Sequence, residues 1–290
     1  MSIRPHRFAL TICVLLATFA SCSVPPEPTV PDLRRSKALE AFADYGLVYM
    51  FPGLVGPEWE LGPAYRGLRD AGLVREFRFF QWDTPGLEVL DHLTEYEHNR
   101  QKAAQVAEEI CAYHAEHPRN PIDLVGYSAG GALALWVAEA LPEHVLLRQV
   151  VLAQPGVSPT YDLTTALRRI DGQLVVLYCP TDLLLAGAFT SLFGTLDRRY
   201  TVAAGQSGFD LDVAVSDPAL RSKVVQEGYS DTWAEVGHPG NHMAILQYRW
   251  NRYIVAPYLL DEPAEDSLSA LDWLARQLLD VLRRQPIQEE

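Results

Sequence analysis

An apolar run ends at Gly126, a serine follows two residues later, and an Ala/Leu-rich run begins after Gly131: Ile122-Asp123-Leu124-Val125-Gly126-Tyr127-Ser128-Ala129-Gly130-Gly131-Ala132-Leu133-Ala134-Leu135-Trp136. The pattern predicts a strand, a sharp turn at Ser128 and a helix. In such a turn the residues two before and two after the serine close on one another, so neither can carry bulk. Gly126 and Gly130 meet that demand, and Ala129 and Gly131 leave further room. The serine hydroxyl is then held above the end of a sheet, where it can act as a nucleophile. The plainer alternative is a glycine-rich loop with a surface serine.

The flanking sequence decides what kind of sheet receives this turn. Gly46–Phe51 is a short apolar run stopped by Pro52-Gly53, the pattern of a buried parallel strand. A helical stretch over Trp59–Leu73 precedes a Phe-rich strand over Val74–Trp82. Asp91–His117 carries a long helical pattern that places Leu93, Tyr96, Ala103, Val106, Ile110 and Tyr113 on one face and stops at Pro118. Beyond the serine, Gln149–Ala153 and Gln173–Tyr178 read as strands, with a helix over Leu163–Ile170 between them and a last strand at Thr232–Val236. Alternation of this kind predicts an α/β fold, with a mostly parallel sheet of about six strands covered by helices on both faces.

With G-x-S-x-G at its centre, this series resembles the α/β-hydrolases from about Tyr45 to the C-terminus. Only a helix-like Leu33–Tyr45 precedes the first strand, so the resemblance is to a trimmed fold lacking the usual antiparallel edge strands. The family order of catalytic residues is Ser, then Asp or Glu, then His. A serine hydroxyl is a weak nucleophile until a histidine takes its proton, and a carboxylate orients that histidine. Leu177-Tyr178-Cys179-Pro180-Thr181-Asp182 supplies an acid directly after a strand. The other reading of Asp182 is an N-cap for a helix starting at Leu183.

Two histidines compete for the base in Gly237-His238-Pro239-Gly240-Asn241-His242-Met243. His242 matches the family's Gly-x-His-apolar arrangement and is favoured, while His238 sits where it could shape the loop. Their i, i+4 spacing suggests a metal pair only on a helix, which Pro239 and Gly240 oppose, so no metal is expected. For the oxyanion, the resemblance implies the N–H of Ala129 and that of Leu54, with Gly53 as the alternative to Leu54. It therefore implies a serine hydrolase without cofactor, an esterase/lipase-like enzyme acting on a small-molecule ester or acyl substrate. The alternative is a catalytically silent member of the fold serving as a binding protein. Between Leu183 and Asp231 a long connection carries Phe189, Phe193, Tyr200 and Phe209, which either line an acyl pocket or pack the insertion onto the domain.

The N-terminus reads separately. Arg4 and Arg7 precede an apolar run over Phe8–Phe19 and then Ala20-Ser21-Cys22, the pattern of a secretory signal too short for an ordinary spanning helix. Its end resembles a bacterial lipoprotein box with Cys22 as the lipidated residue, plain cleavage or an uncleaved anchor being the alternatives. Ser23–Pro31 is a Pro-rich spacer. The expected organisation is a signal over residues 1–21, a tether over 22–32 and one α/β-hydrolase domain over 33–290, lipid-anchored in the cell envelope. The formal net charge of −13 opposes binding to nucleic acid, and the two arginines lost with the signal make it more negative. Cys111 and Cys179 read as buried thiols, with a disulfide between them as the alternative.

Overall fold

The computed structural model describes residues 42–53, 58–82, 95–183, 190 and 194–260, all within a unit spanning Asp32–Glu290. After a single 3-10 turn at Ala43–Tyr45, the elements alternate as expected. β1 (Leu47–Phe51), α1 (Glu58–Asp70), β2 (Glu76–Phe79), α2 (Tyr96–Glu116), β3 (Ile122–Tyr127) and α3 (Ala129–Ala140) form the first half. β4 (Leu147–Ala153), the one-turn α4 (Thr164–Leu167) and β5 (Ile170–Tyr178) follow. Three more short helices, α5 (Ala204–Ser207), α6 (Leu211–Ala214) and α7 (Pro218–Arg221), lead to β6 (Val224–Gly228) and α8 (Asp231–Glu235). The described chain ends in a nearly continuous helical run: a 3-10 segment at His242–Leu246, α9 (Tyr248–Trp250), a π-helical segment at Asn251–Val255 and α10 (Ala256–Leu259).

The six strands form one parallel sheet in the order β2-β1-β3-β4-β5-β6. Both faces are covered, which is why the central strands are apolar at nearly every position instead of alternating with polar residues. Leu47, Tyr49 and Phe51 of β1, Leu124 of β3 and Val150 and Leu152 of β4 belong to a core shared with α2, α3 and α4. The side chains between them, such as Val48, Met50, Val125 and Val151, are equally buried but lie outside that cluster, on the opposite face. α3 is buried from Ala129 to Val137 all round, as an apolar helix wedged into the interior must be. α2 buries Ala103, Val106, Ile110 and Tyr113, four of the residues expected on its inner face, together with Asn99. Leu93 lies outside the described residues, as does the segment 33–41.

One strand is misassigned by the sequence pattern. Thr232–Val236 is not the last strand: Asp231–Glu235 is helical and buries Trp233. Its apolar alternation is that of a short helix with one anchoring tryptophan, and Asp231 in the first turn favours that helix through its dipole. Among the described residues the last strand is Val224-Val225-Gln226-Glu227-Gly228, which pairs there only with β5 and is half-exposed through most of its length. An edge strand tolerates Gln and Glu, so it lacks the apolar run that marks its interior neighbours. The expected helix over Leu163–Ile170 also shrinks to one turn, because Ile170 already belongs to β5.

Candidate active site

The chain leaves β1 for β2 on one side of the sheet, while β3 lies on the other side of β1. The strand order therefore reverses between β1 and β3, and open parallel sheets present a crevice at the carboxyl ends of the strands at such a point. Pro52-Gly53 leaves β1 there, and Ser128 leaves β3. A Cβ on Gly53 would lie 3.5 Å from Ser128 Cβ and 3.9 Å from its Oγ, so the β1 loop faces the serine directly.

Ser128 adopts φ 54°, ψ −119°, a left-handed conformation that costs a non-glycine residue roughly 1–3 kcal/mol. The surroundings over-determine it. Its N–H donates to Ala153 O at the end of β4 (2.9 Å), and its carbonyl accepts from Gly131 N (2.9 Å) and Gly156 N (2.8 Å). The glycine frame is a steric necessity: a Cβ on Gly126 would come within 2.6 Å of Gly130 O, and one on Gly130 would run into Phe51 O. Gln154, at the end of the adjacent β4, is also left-handed (φ 47°), so strain gathers at this edge of the sheet.

The structure brings Ser128, Asp182 and His242 together. His242 opens the 3-10 segment with Nε2 2.7 Å from Ser128 Oγ and Nδ1 2.5 Å from Asp182 Oδ2. An ionised carboxylate can only accept, so Nδ1–H donates to Asp182 and Nε2 is left to accept from the Ser128 hydroxyl. Asp182 is buried and leaves its loop by an N–H bond to Cys179 O (3.0 Å). Its carboxylate is engaged by the imidazole through Oδ2, and the residues that follow Leu183, on which the competing N-cap reading depends, lie outside the described residues. The arrangement can withdraw the serine proton through an oriented imidazole whose cation a buried carboxylate would stabilise.

His238 occupies a different place. It is fully buried, its Nδ1 accepts the Gly240 N–H at 3.2 Å, and burial pushes its pKa down to about 4. Ala129 is the first residue of α3, so its N–H has no acceptor within the helix and is available to a ligand. Leu54 lies outside the described residues, as do Cys22, Phe189 and Phe193. Tyr200 is 77% exposed, whereas Phe209 packs into the core beneath the sheet. Cys111 and Cys179 are free thiols, half-buried and buried respectively.

Two supports of the site escape the sequence pattern. Trp82, just past β2, donates its indole N–H to Gly53 O at 2.8 Å and so anchors the β1 loop from the next strand. Tyr127, the residue before Ser128, donates to Asn251 Oδ1 at 2.6 Å, and Asn251 Nδ2 donates to Ile245 O (2.8 Å) and Gln247 O (2.9 Å). That network joins the serine strand to the segment carrying His242. Only the sheet order brings Trp82 to Gly53; no local spacing announces it.

No protein-family model matches the chain, and no curated protein matches it. Solved structures similar to it include RedJ with a PEG molecule bound in its active site, at 16% identity and a TM-score of 0.38 over 89% of this chain and 95% of that one. LpqC, a poly(3-hydroxybutyrate) depolymerase from Bordetella parapertussis, is 14% identical with a TM-score of 0.46 over 81% of this chain and 85% of its own. A Trichoderma reesei cutinase in complex with a phosphonate inhibitor is 12% identical with a TM-score of 0.33 over 86% and 97% of the two chains. The assignment of the fold rests on this chain's own strands: a single sheet of six parallel strands between helical layers, of the α/β-hydrolase type, with a serine turn after β3, an aspartate after β5 and a histidine after β6.

Proposed function

We propose that the protein is a serine hydrolase of carboxylic esters. One observation carries the reading: a strained, left-handed serine continues through 2.7 Å and 2.5 Å hydrogen bonds into a histidine and a buried aspartate. Ser128 Oγ attacks the ester carbonyl carbon while its proton passes to His242 Nε2, and Asp182 stabilises the resulting imidazolium. The oxyanion of the tetrahedral intermediate accepts hydrogen bonds from Ala129 N–H and from an N–H of the β1 loop, for which Leu54 is the proposed donor. His242 then gives its proton to the departing alkoxide, leaving an acyl-serine. Water attacks that acyl group, with the same imidazole as base.

Leu183 and Met243 directly follow Asp182 and His242 and are 67% and 45% exposed, an apolar rim suited to the acyl portion of a small-molecule ester. A fluorophosphonate probe tests the reading without knowledge of the substrate. Wild-type protein is expected to be labelled at Ser128 and a Ser128→Ala variant to stay unlabelled. Folded wild-type protein that takes up no probe would sink the hydrolase assignment and leave a binding role on this fold.

The tether is a separate proposal. Cys22 carries the lipid, the Pro-rich stretch after it spaces one catalytic domain from the membrane, and the protein works lipid-anchored in the cell envelope. Multiple acyl chains give stable anchoring, and a strongly acidic domain contributes no attraction to anionic lipid. Full-length protein made in a bacterial host is expected to partition into detergent with the membrane fraction, and Cys22→Ser to shift it to the soluble export fraction or to an uncleaved precursor. An intact mass showing an unmodified N-terminus beyond residue 22 would rule the lipid out.

A further inference from the structure

We propose that His238 is a positioning residue for the Asp182–His242 pair: as a neutral imidazole protonated on Nε2, it clasps the turn that joins the histidine loop to the acid loop. The inference rests on the hydrolase reading for its kinetic consequences only. His238 is fully buried, with ring centroids 5.6 Å from Tyr229, 5.2 Å from Trp233 and 5.3 Å from Trp250. Its tautomer follows from its partner. The Gly240 N–H 3.2 Å from Nδ1 can only donate, so Nδ1 must be the bare acceptor and Nε2 carries the proton.

The clasp continues from there. Gly240 is left-handed at φ +78°, and its carbonyl accepts from Thr181 Oγ1 at 3.0 Å. Thr181 immediately precedes Asp182, and Gly240 lies two residues before His242. One backbone unit therefore links the acid loop to the base loop, and His238 holds the other end of that unit. A Cβ on Gly240 would meet Thr181 Oγ1 at 2.7 Å, so the two loops are in close contact at this residue. The 2.5 Å bond between Asp182 and His242 needs both loops in register, and a displacement of an ångström or less there is costly to catalysis.

A buried imidazole whose Nε2 has no hydrogen-bond partner among the described residues is an expensive way to fill an aromatic pocket; phenylalanine would do it at less cost. What phenylalanine lacks is the Nδ1 acceptor. Protonation would set a second donor against the Gly240 N–H and open the clasp. Burial resists this, bringing the pKa from its ordinary 6.5 to about 4; the Asp182 charge works the other way and a charged His242 works with burial. Among the described rings packed against it only Tyr229 is titratable, since Trp233 and Trp250 carry no charge. The unfolded chain thus takes up a proton near pH 6.5 that the folded protein refuses until about pH 4. The stability contributed is full above the higher value and is lost as pH falls toward the lower one.

The test compares His238→Phe, which fills the pocket without an acceptor, His238→Asn, whose Oδ1 restores the acceptor near Nδ1, and Thr181→Val, which cuts the clasp at its other end. Three readouts are taken: kcat and KM on a p-nitrophenyl ester, the low-field proton resonance of the His242 Nδ1–H, and urea midpoints between pH 4 and 7. For His238→Phe we expect kcat to fall roughly 10- to 100-fold with KM within about threefold, the low-field resonance to broaden or vanish, and the pH dependence of the midpoint to flatten. His238→Asn is expected to recover most of the kcat and the resonance, and Thr181→Val to lose both in part. The proposal is overturned if His238→Phe keeps kcat within about threefold and retains the resonance, or if His238→Asn is no better than His238→Phe. Should His238→Phe fail to fold, Thr181→Val and His238→Asn decide. A wild-type protein that takes up no fluorophosphonate removes the hydrolase reading, and the resonance still reports on the clasp.

Discussion

Ser128→Ala is expected to lower kcat on a p-nitrophenyl ester by roughly 10⁴-fold or more while leaving the melting temperature within a few degrees of wild type. The two halves of that expectation have different physical sources. Activity should collapse because the atom removed is the proposed nucleophile, and no other hydroxyl is hydrogen-bonded to His242 among the described residues. Stability barely moves because alanine is as strained as serine at φ 54°, and the backbone bonds to Ala153, Gly131 and Gly156 do not involve the side chain. The imidazole left behind is 12% exposed, so its Nε2 can be satisfied by water instead of being stranded. Steady-state kinetics beside thermal melts separate the two halves. Undiminished turnover in the alanine variant would remove Ser128 from the mechanism whatever happens to the fold.

How far this site could be read from sequence depends on the range of the interactions that build it. The serine turn is local: Gly126, Ser128 and Gly130 are spaced by the steric demands of one reversal, and the same demands appear in the contacts their missing side chains would make. Asp182 and His242 are legible because each follows the end of an element near a proline or glycine break, and the structure brings both to Ser128. What escaped is non-local. Trp82 reaches Gly53 only because β2 lies beside β1, and Tyr127 reaches Asn251 across 124 positions. The ring of Tyr229, Trp233 and Trp250 around His238 has no periodicity that would reveal it, since it is assembled from a strand end, α8 and α9. The error at Thr232–Val236 has a related cause. Five residues are too few for apolar alternation to tell a strand from one helical turn, and the edge strand that displaced it is polar because only one neighbour pairs with it.

The largest loss of stability is expected at the other edge of the sheet. Asp123, the second residue of β3, is fully buried and its carboxylate pairs with two arginines. Arg75, itself buried, contacts Oδ2, while Arg148 grips both oxygens, Nε to Oδ1 at 2.9 Å and Nη2 to Oδ2 at 2.8 Å. Arg148 Nη2 also donates to Leu259 O at 2.6 Å, so the carboxylate orients the side chain that ties down the end of the C-terminal helical run. Asp123→Ala withdraws the only carboxylate bonded to Arg148 among the described residues and takes from the buried Arg75 the carboxylate it contacts. Breaking a buried pair in this way costs about 3–5 kcal/mol, roughly 10 °C in melting temperature for a domain of this size. The cost comes from removing one member of a buried charge pair while keeping the other, so Asp123→Leu combined with Arg75→Met should be markedly more stable than Asp123→Ala, with Arg148, 26% exposed, turning to water. Asp123 is five residues before Ser128 on one strand, about 16 Å away at 3.3 Å per residue, so the folded fraction of each variant should keep its fluorophosphonate reactivity. A melting temperature for Asp123→Ala within about 2 °C of wild type would show that the arginines find other partners and that this cluster is not what holds the C-terminal run to the sheet.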